Sequence, residues 1–188
     1  MIILGFDHGN TISGFGVVKC EQGKPFEFVD NGFITVPNLP YPETLLVYIN
    51  MLEDLILKHK PDMIALEAPK SNRGFATHQH LVELLGCAKG LCVKLGIPFS
   101  EIPPSTLKLI VAGNGWASKE EVARRVSDHL KVPYDQIVKV TYYTQGLKKG
   151  QIKSYLLDGS DALALAITLP IYLKRQGNKL DYAGRKTT

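Results

Sequence analysis

The sequence of 188 residues is short of cysteine, holding three, and of net charge, with 22 basic against 18 acidic residues. It also lacks any apolar run near the roughly 20 residues needed to cross a bilayer. Cys20, Cys87 and Cys92 are odd in number, far apart and without a C-x-x-C pair, so no metal-ligand spacing is present and a reducing compartment fits. They read as small apolar core residues. A formal charge of +4 is too slight to argue for nucleic acid by itself, and the distribution of the cations matters more than their sum. No signal peptide precedes the first apolar run, so the expectation is a soluble, cytoplasmic chain with no membrane partner. What is present, 45% apolar residues, suffices for one domain with a proper core.

The chain opens on Ile2-Ile3-Leu4-Gly5-Phe6-Asp7, an apolar run ending on one acid, followed by a Gly9-Asn10 turn. This predicts a buried strand leading into a hairpin, with a second strand over 14–20 and a third over 25–36, broken at Asn31-Gly32. Three sequential strands of this kind form an antiparallel meander. From 42 to 60 the period changes, with Leu45, Ile49, Leu52 and Ile56 on one helical face. Met63-Ile64-Ala65-Leu66 then runs into Glu67 and repeats the opening logic of a short strand ending on an acid. A second long helix carries Leu81, Leu84, Leu85, Ala88, Leu91 and Cys92 inward, and its Gly86 and Gly90 suggest close approach of another backbone. A strand over 97–102 and a short helix opened by Pro103-Pro104-Ser105 follow. Ser118-Lys119-Glu120-Glu121 has the spacing of a capping box. Residues 132–153 are weakly periodic and read as a loop or hairpin. Asp158-Gly159-Ser160-Asp161 then opens a final apolar helix stopped or kinked by Pro170.

A carboxylate at the end of a buried strand is costly to desolvate unless a cation or a set of donors answers it. Asp7 and Glu67 both stand at such ends, and Asp158 and Asp161, three apart, share one face of the last helix. Taken alone, the last two read as a helix cap, with Asp158 as N-cap and Asp161 in the first turn. Taken with the other two, and with the first and fourth strands side by side, they form a cluster of four carboxylates. Such a cluster selects hard divalent cations, and two of these a few ångströms apart promote in-line displacement at phosphorus.

The order Leu4-Gly5-Phe6-Asp7-His8-Gly9, Ser13-Gly14-Phe15-Gly16, Ile64-Ala65-Leu66-Glu67, Val111-Ala112-Gly113-Asn114-Gly115 with Ala117-Ser118-Lys119, and Asp158-Gly159-Ser160-Asp161-Ala162-Leu163-Ala164 resembles the RuvC family of Holliday junction resolvases. The resemblance implies an α/β, RNase H-like fold: a mixed central sheet, antiparallel in its first three strands and parallel thereafter, flanked by helices. It implies a nuclease domain over 1–175, with 132–157 an insertion relative to the family, and a basic, flexible tail over 176–188. It implies a homodimer that cuts four-way DNA junctions symmetrically, with two Mg²⁺ or Mn²⁺ ions per site on Asp7, Glu67, Asp158 and Asp161, and it admits a branch-migration helicase as partner. Lys108 and Lys119 fall at the family's lysine positions beside the cut phosphate. Two departures stand out. His8 replaces a proline, and the aromatic that usually follows the second acid is absent, leaving Phe75 to read equally as a displaced base-stacking wedge or as the first core residue of the next helix.

Lys70, Arg73, Lys148, Lys149 and Lys153 join Lys108 and Lys119 in loops or helix starts that would rim an acidic cleft and hold phosphates without reading sequence. Other classes remain open from sequence alone. The opening strand also resembles the phosphate loop of actin-like ATPases, which need a second such loop and about twice the length. A non-cleaving junction binder, or a related nuclease on another nucleic acid, would keep the same architecture.

Overall fold

The computed structural model describes residues 1–35, 39–40, 42–69 and 75–184, of which 75–77 by backbone alone. Its elements, in chain order, are β1 (Ile2–Asp7), β2 (Ile12–Lys19), β3 (Glu27–Thr35), α1 (Glu43–His59), β4 (Met63–Glu67), α2 (Phe75–Leu95) and β5 (Phe99–Ile102). There follow α3 (Pro104–Ala112), α4 (Lys119–Leu130), α5 (Tyr134–Ile137), β6 (Lys139–Tyr142), β7 (Ile152–Leu156) and α6 (Asp158–Arg175). The main sheet has the order β3-β2-β1-β4-β5, with β6 and β7 forming a separate two-stranded sheet. The pairs β1–β2 and β2–β3 are antiparallel, and β1–β4 and β4–β5 parallel, as the resemblance implies.

Period-two alternation sorts the strand residues onto two faces. Leu4, Phe6, Val17, Ile64 and Leu66 are buried against Tyr48, Leu52 and Ile56 of α1 and Leu84, Leu85 and Ala88 of α2. Ile3, Val18 and Ala65 are buried on the opposite face, with α3, α4 and α6. By the same alternation Gly5 and Asp7 of β1 and Glu67 of β4 belong to the α6 face. The sheet is therefore a layer between two helical layers, and its acids share one side.

Glycine decides how close α6 comes. A Cβ built on Gly5 would lie 1.9 Å from the Ala162 carbonyl oxygen, one on Gly14 2.0 Å from that of Asp158, and one on Gly16 2.4 Å from the Leu163 nitrogen. These strand glycines let the helix backbone rest directly on β1 and β2. Gly86 and Gly90 are exposed on the outer surface of α2, with nothing within 4 Å of an added Cβ.

Other expectations are corrected. No break occurs at Asn31-Gly32, which pair continuously with Gly16 and Phe15; the register shifts instead between Val17 and Val18, where Asp30 and Phe28 are the respective partners. Helix α6 passes through Pro170 to Arg175 because buried Ile167, Leu169 and Leu173 hold it on both sides of the proline. The segment over 132–153 holds a short helix, α5, besides the hairpin. The flexible tail expected from 176 is anchored part-way: Phe99 and Tyr182 exchange backbone hydrogen bonds, their rings lie 5.7 Å apart, and Asp181 Oδ2 accepts from the Glu101 amide. Among the described residues no helix is long and apolar enough to cross a membrane.

Candidate active site

Phe6 pairs with Leu66 across the parallel β1–β4 ladder, so Asp7 and Glu67, the next residue of each strand, end at one level on one face. Helix α6 brings the other two acids. Leu157 takes the N-cap position with no side-chain cap, and Asp158 is the first helical residue. The capping role that Asp158 would have on its own is thus not the one it plays. The first turn is closed instead by the Ser160 hydroxyl donating to the Leu157 carbonyl at 2.7 Å and by the Asp161 amide on the same oxygen at 2.8 Å. The two carboxylates are left facing the strand ends.

Their mutual influence is large. Burial, then the like charges of Glu67 and Asp161, push the Asp7 carboxyl well above the ordinary range, with Asp158 adding to the rise and only Lys119 opposing it. Burial likewise raises Asp161 to about 6, against the pull of Lys119 and with further push from Glu67 and Asp158. Lys119 Nζ lies 2.5 Å from Asp161 Oδ2. Burial works against the charge of Lys119, and Asp161, Asp7 and Asp158 outweigh it, so its pKa is raised.

Lys119 is placed by the capping box read from sequence: the Ser118 hydroxyl accepts from the Glu121 amide at 3.1 Å and starts α4 there. A cation in the first turn of a helix opposes the macrodipole, so α4 gains nothing from Lys119 at this position. Its favourable partners are the acids across the cleft. Lys108, on α3, is drawn in beside it and donates to the Ala117 carbonyl. Glu67, Lys108, Lys119 and Asp161 line one cavity of about 50 Å³, floored by Leu107 and Val122.

Among the described residues Lys119 is the cation on which Asp161, Asp7 and Asp158 act, and the donor chemistry, hard carboxylate oxygens, suits a divalent cation. As they stand, no three His, Cys, Asp or Glu side chains among the described residues are gathered around one ion position. His8 is buried, at 6% exposure, and not turned to solvent. Lys70 and Arg73 lie outside the described residues, as does the side chain of Phe75, which opens α2. Sequence reading passed over Trp116, a lone tryptophan in a Gly-rich turn two residues before Ser118, which proves 94% exposed. The signal was its position beside Lys119.

The charge state of this cluster sets a pH dependence. An unfolded aspartate titrates near 3.8 and folded Asp161 near 6, so between these values the folded protein holds the extra proton. Stability contributed by the neutral form is present at low pH and lost as pH rises through about 6. With EDTA present, wild type is expected to lose melting temperature relative to Asp161→Asn between pH 5 and pH 8, and Mg²⁺ or Mn²⁺ at pH 8 to restore it. Parallel melting curves for the two proteins across that range would rule this out.

The model of the family described as crossover junction endodeoxyribonuclease RuvC matches residues 3–169. The chain belongs to the RuvC family. A RuvC from Ruminiclostridium cellulolyticum is 38% identical over 134 residues, 71% of this chain and 80% of that protein. One from a Nocardioides species is 33% identical over 169 residues, 89% and 85% of the two chains. The solved structure of T. thermophilus RuvC in complex with Holliday junction substrate covers 96% of this chain and 99% of its own, with a TM-score of 0.72 and 21% identity. That likeness establishes the RNase H-like RuvC fold here.

Proposed function

We propose that this chain resolves four-way DNA junctions by metal-dependent hydrolysis of one phosphodiester per subunit, in recombination and repair. The observation that carries the reading is the mutual influence of four carboxylates from three separate elements, with α6 seated directly on the strand glycines and Lys119 opposing the charge on Asp7 and Asp161. An RuvC-family nuclease has a use for repelling acids held at such cost, and a passive binder has none.

In this reading Asp7, Glu67, Asp158 and Asp161 hold two Mg²⁺ or Mn²⁺ ions. When bound, such ions polarise the phosphate and make water a competent nucleophile near neutral pH. The chain's own contributions are positional. Asp7 and Glu67 are fixed by the ladder and Asp158 and Asp161 by the first turn of α6. Lys119 screens Asp161 and offers an ammonium to the negative charge that grows on the phosphate as the nucleophile arrives. Lys108, beside Lys119 in the same cavity, contacts the DNA backbone.

Symmetric cutting requires two sites related by a two-fold axis. The outer surface of α2, where Val82 and Val93 are each 43% exposed and Gly86 and Gly90 leave open space at four-residue spacing, is the surface we assign to the second subunit. Gly86→Glu combined with Gly90→Glu is expected to convert a dimer into a monomer by sedimentation, with an unchanged circular dichroism spectrum. A variant that still sediments as a dimer removes α2 from the interface.

The deciding experiment is cleavage of a synthetic four-way junction with Mg²⁺ or Mn²⁺, expected to give paired nicks at symmetric positions. Protein that binds the junction and leaves both strands whole would establish the non-cleaving alternative.

A further inference from the structure

The strands β6 and β7 form a sheet that joins no other, and a lone hairpin of two strands is marginal in water. Ile152 through Tyr155 are exposed. The hairpin therefore adds little to the core and needs another reason to exist. Two features of its chemistry supply one. From 136 to 157 the chain has four lysines, Lys139, Lys148, Lys149 and Lys153, and no acid; they match the whole formal excess of +4. Apart from this segment the chain is electrically balanced. The second feature is a pair of rings. Val140 pairs with Tyr155, and past a register shift Tyr142 pairs with Ile152, so both tyrosines belong to the paired part of the hairpin. Tyr142 is 54%, Ile152 48% and Tyr155 45% exposed. Cations interleaved with open aromatic faces, without acids, suit a polyanion that also offers flat apolar groups, and single-stranded nucleic acid is that partner.

Position fits the chemistry. Strand β7 ends at Leu156, and Asp158 begins two residues later, so the base of the hairpin adjoins the helix turn that carries two of the acids. At its base the Lys139 ammonium lies over the Phe33 ring, 4.6 Å from the centroid, and a groove of about 430 Å³ separates hairpin from sheet beside Gly159.

We propose that the β6–β7 hairpin is a DNA-gripping arm that takes an unpaired strand segment next to the phosphate to be cut, lysines on its phosphates and Tyr142 and Tyr155 against its bases. This rests on the nuclease reading above and names how that site receives its strand.

The test uses full-length protein in EDTA, where nothing is cut, with a labelled oligothymidine and a four-way junction as separate probes. One variant carries Lys148→Gln, Lys149→Gln and Lys153→Gln, the other Tyr142→Ala and Tyr155→Ala. Both are expected to melt within a few degrees of wild type, because the hairpin stands off the core. The lysine variant should bind both probes at least tenfold more weakly and flatten the log-affinity against log-salt slope by about two to three, from roughly 0.7–0.9 per lost phosphate contact. The tyrosine variant should weaken the single strand more than a blunt duplex, and lose quenching of a 2-aminopurine placed at the crossover. Wild-type affinity and salt slope in both variants would overturn the arm and leave the nuclease reading standing. If wild type fails to cut junctions yet the variants still lose the single strand, the nuclease reading falls and the arm remains. A change in sedimentation instead of DNA affinity would assign the face to a second copy of the chain and also overturn the proposal.

Discussion

Asp7→Asn is expected to bind a four-way junction as wild type does and to cut it on the order of a thousandfold more slowly or worse. The substitution keeps the size of the side chain and removes its charge. In the proposed mechanism that charge is a ligand of the cluster: the charges of Glu67, Asp161 and Asp158 all act on Asp7, and with burial they push its carboxyl well above the ordinary range. A second result follows from the same electrostatics. The amide relieves a repulsion that the folded state must carry, so in EDTA at pH 8 Asp7→Asn should melt above wild type. Loss of cutting with a gain of stability is the signature of a residue kept for chemistry. The assays are gel-shift binding, nicking with Mg²⁺ and Mn²⁺, and a thermal melt. Cutting within tenfold of wild type would remove Asp7 from the site.

Gly5→Val is expected to give the largest loss of stability for one added side chain away from the acids. The first added atom would stand 1.9 Å from the Ala162 oxygen and 2.8 Å from the Ala166 nitrogen. Both belong to helix backbone, which has no rotamer to change, so α6 must lift from the sheet. Forced overpacking of a core costs about 1–3 kcal/mol, and a backbone clash lies at or beyond the top of that span. Against a total of roughly 5–15 kcal/mol this is severe. Urea unfolding measures the loss. Where the variant still folds in the cold, a lifted α6 takes Asp158 and Asp161 away from Asp7 and Glu67, and junction cutting should vanish. A Gly5→Val protein with wild-type urea midpoint and cutting rate would contradict the contact.

The acids were legible in the sequence for a simple reason. An apolar run that ends on a single carboxylate is a costly pattern, and Asp7 and Glu67 show it twice. The order of the first three strands followed from the meander, and the parallel strands beyond it from the resemblance to the family. The close contact between α6 and the sheet was not foreseen at the strand glycines. Gly86 and Gly90 sit at helical spacing, which can place small residues outward as easily as inward. Gly14 and Gly16 share one face of β2 by period two, and Gly5 lies opposite Gly16 on β1, a juxtaposition that exists only after strands pair. The capping role offered to Asp158 was wrong by one residue, because Leu157 turns the chain first. Pro170 does not stop the helix, for a tertiary reason: the burial of its neighbours outweighs one lost hydrogen bond. The exposed apolar side chains of the hairpin, Tyr142, Ile152 and Tyr155, were hidden because the weak periodicity of the segment did not say which of them would be left uncovered.

Tyr182 has a role beyond holding the end of the chain. Strand β5 is the last of the sheet on its side, and an outermost strand offers open backbone groups to any passing chain. By returning to Phe99 in antiparallel fashion, the residues around Tyr182 occupy part of that template. The consequence is colloidal. Removing residues from 181 onward should leave the acid cluster whole and make the purified protein prone to sheet-to-sheet association at high concentration.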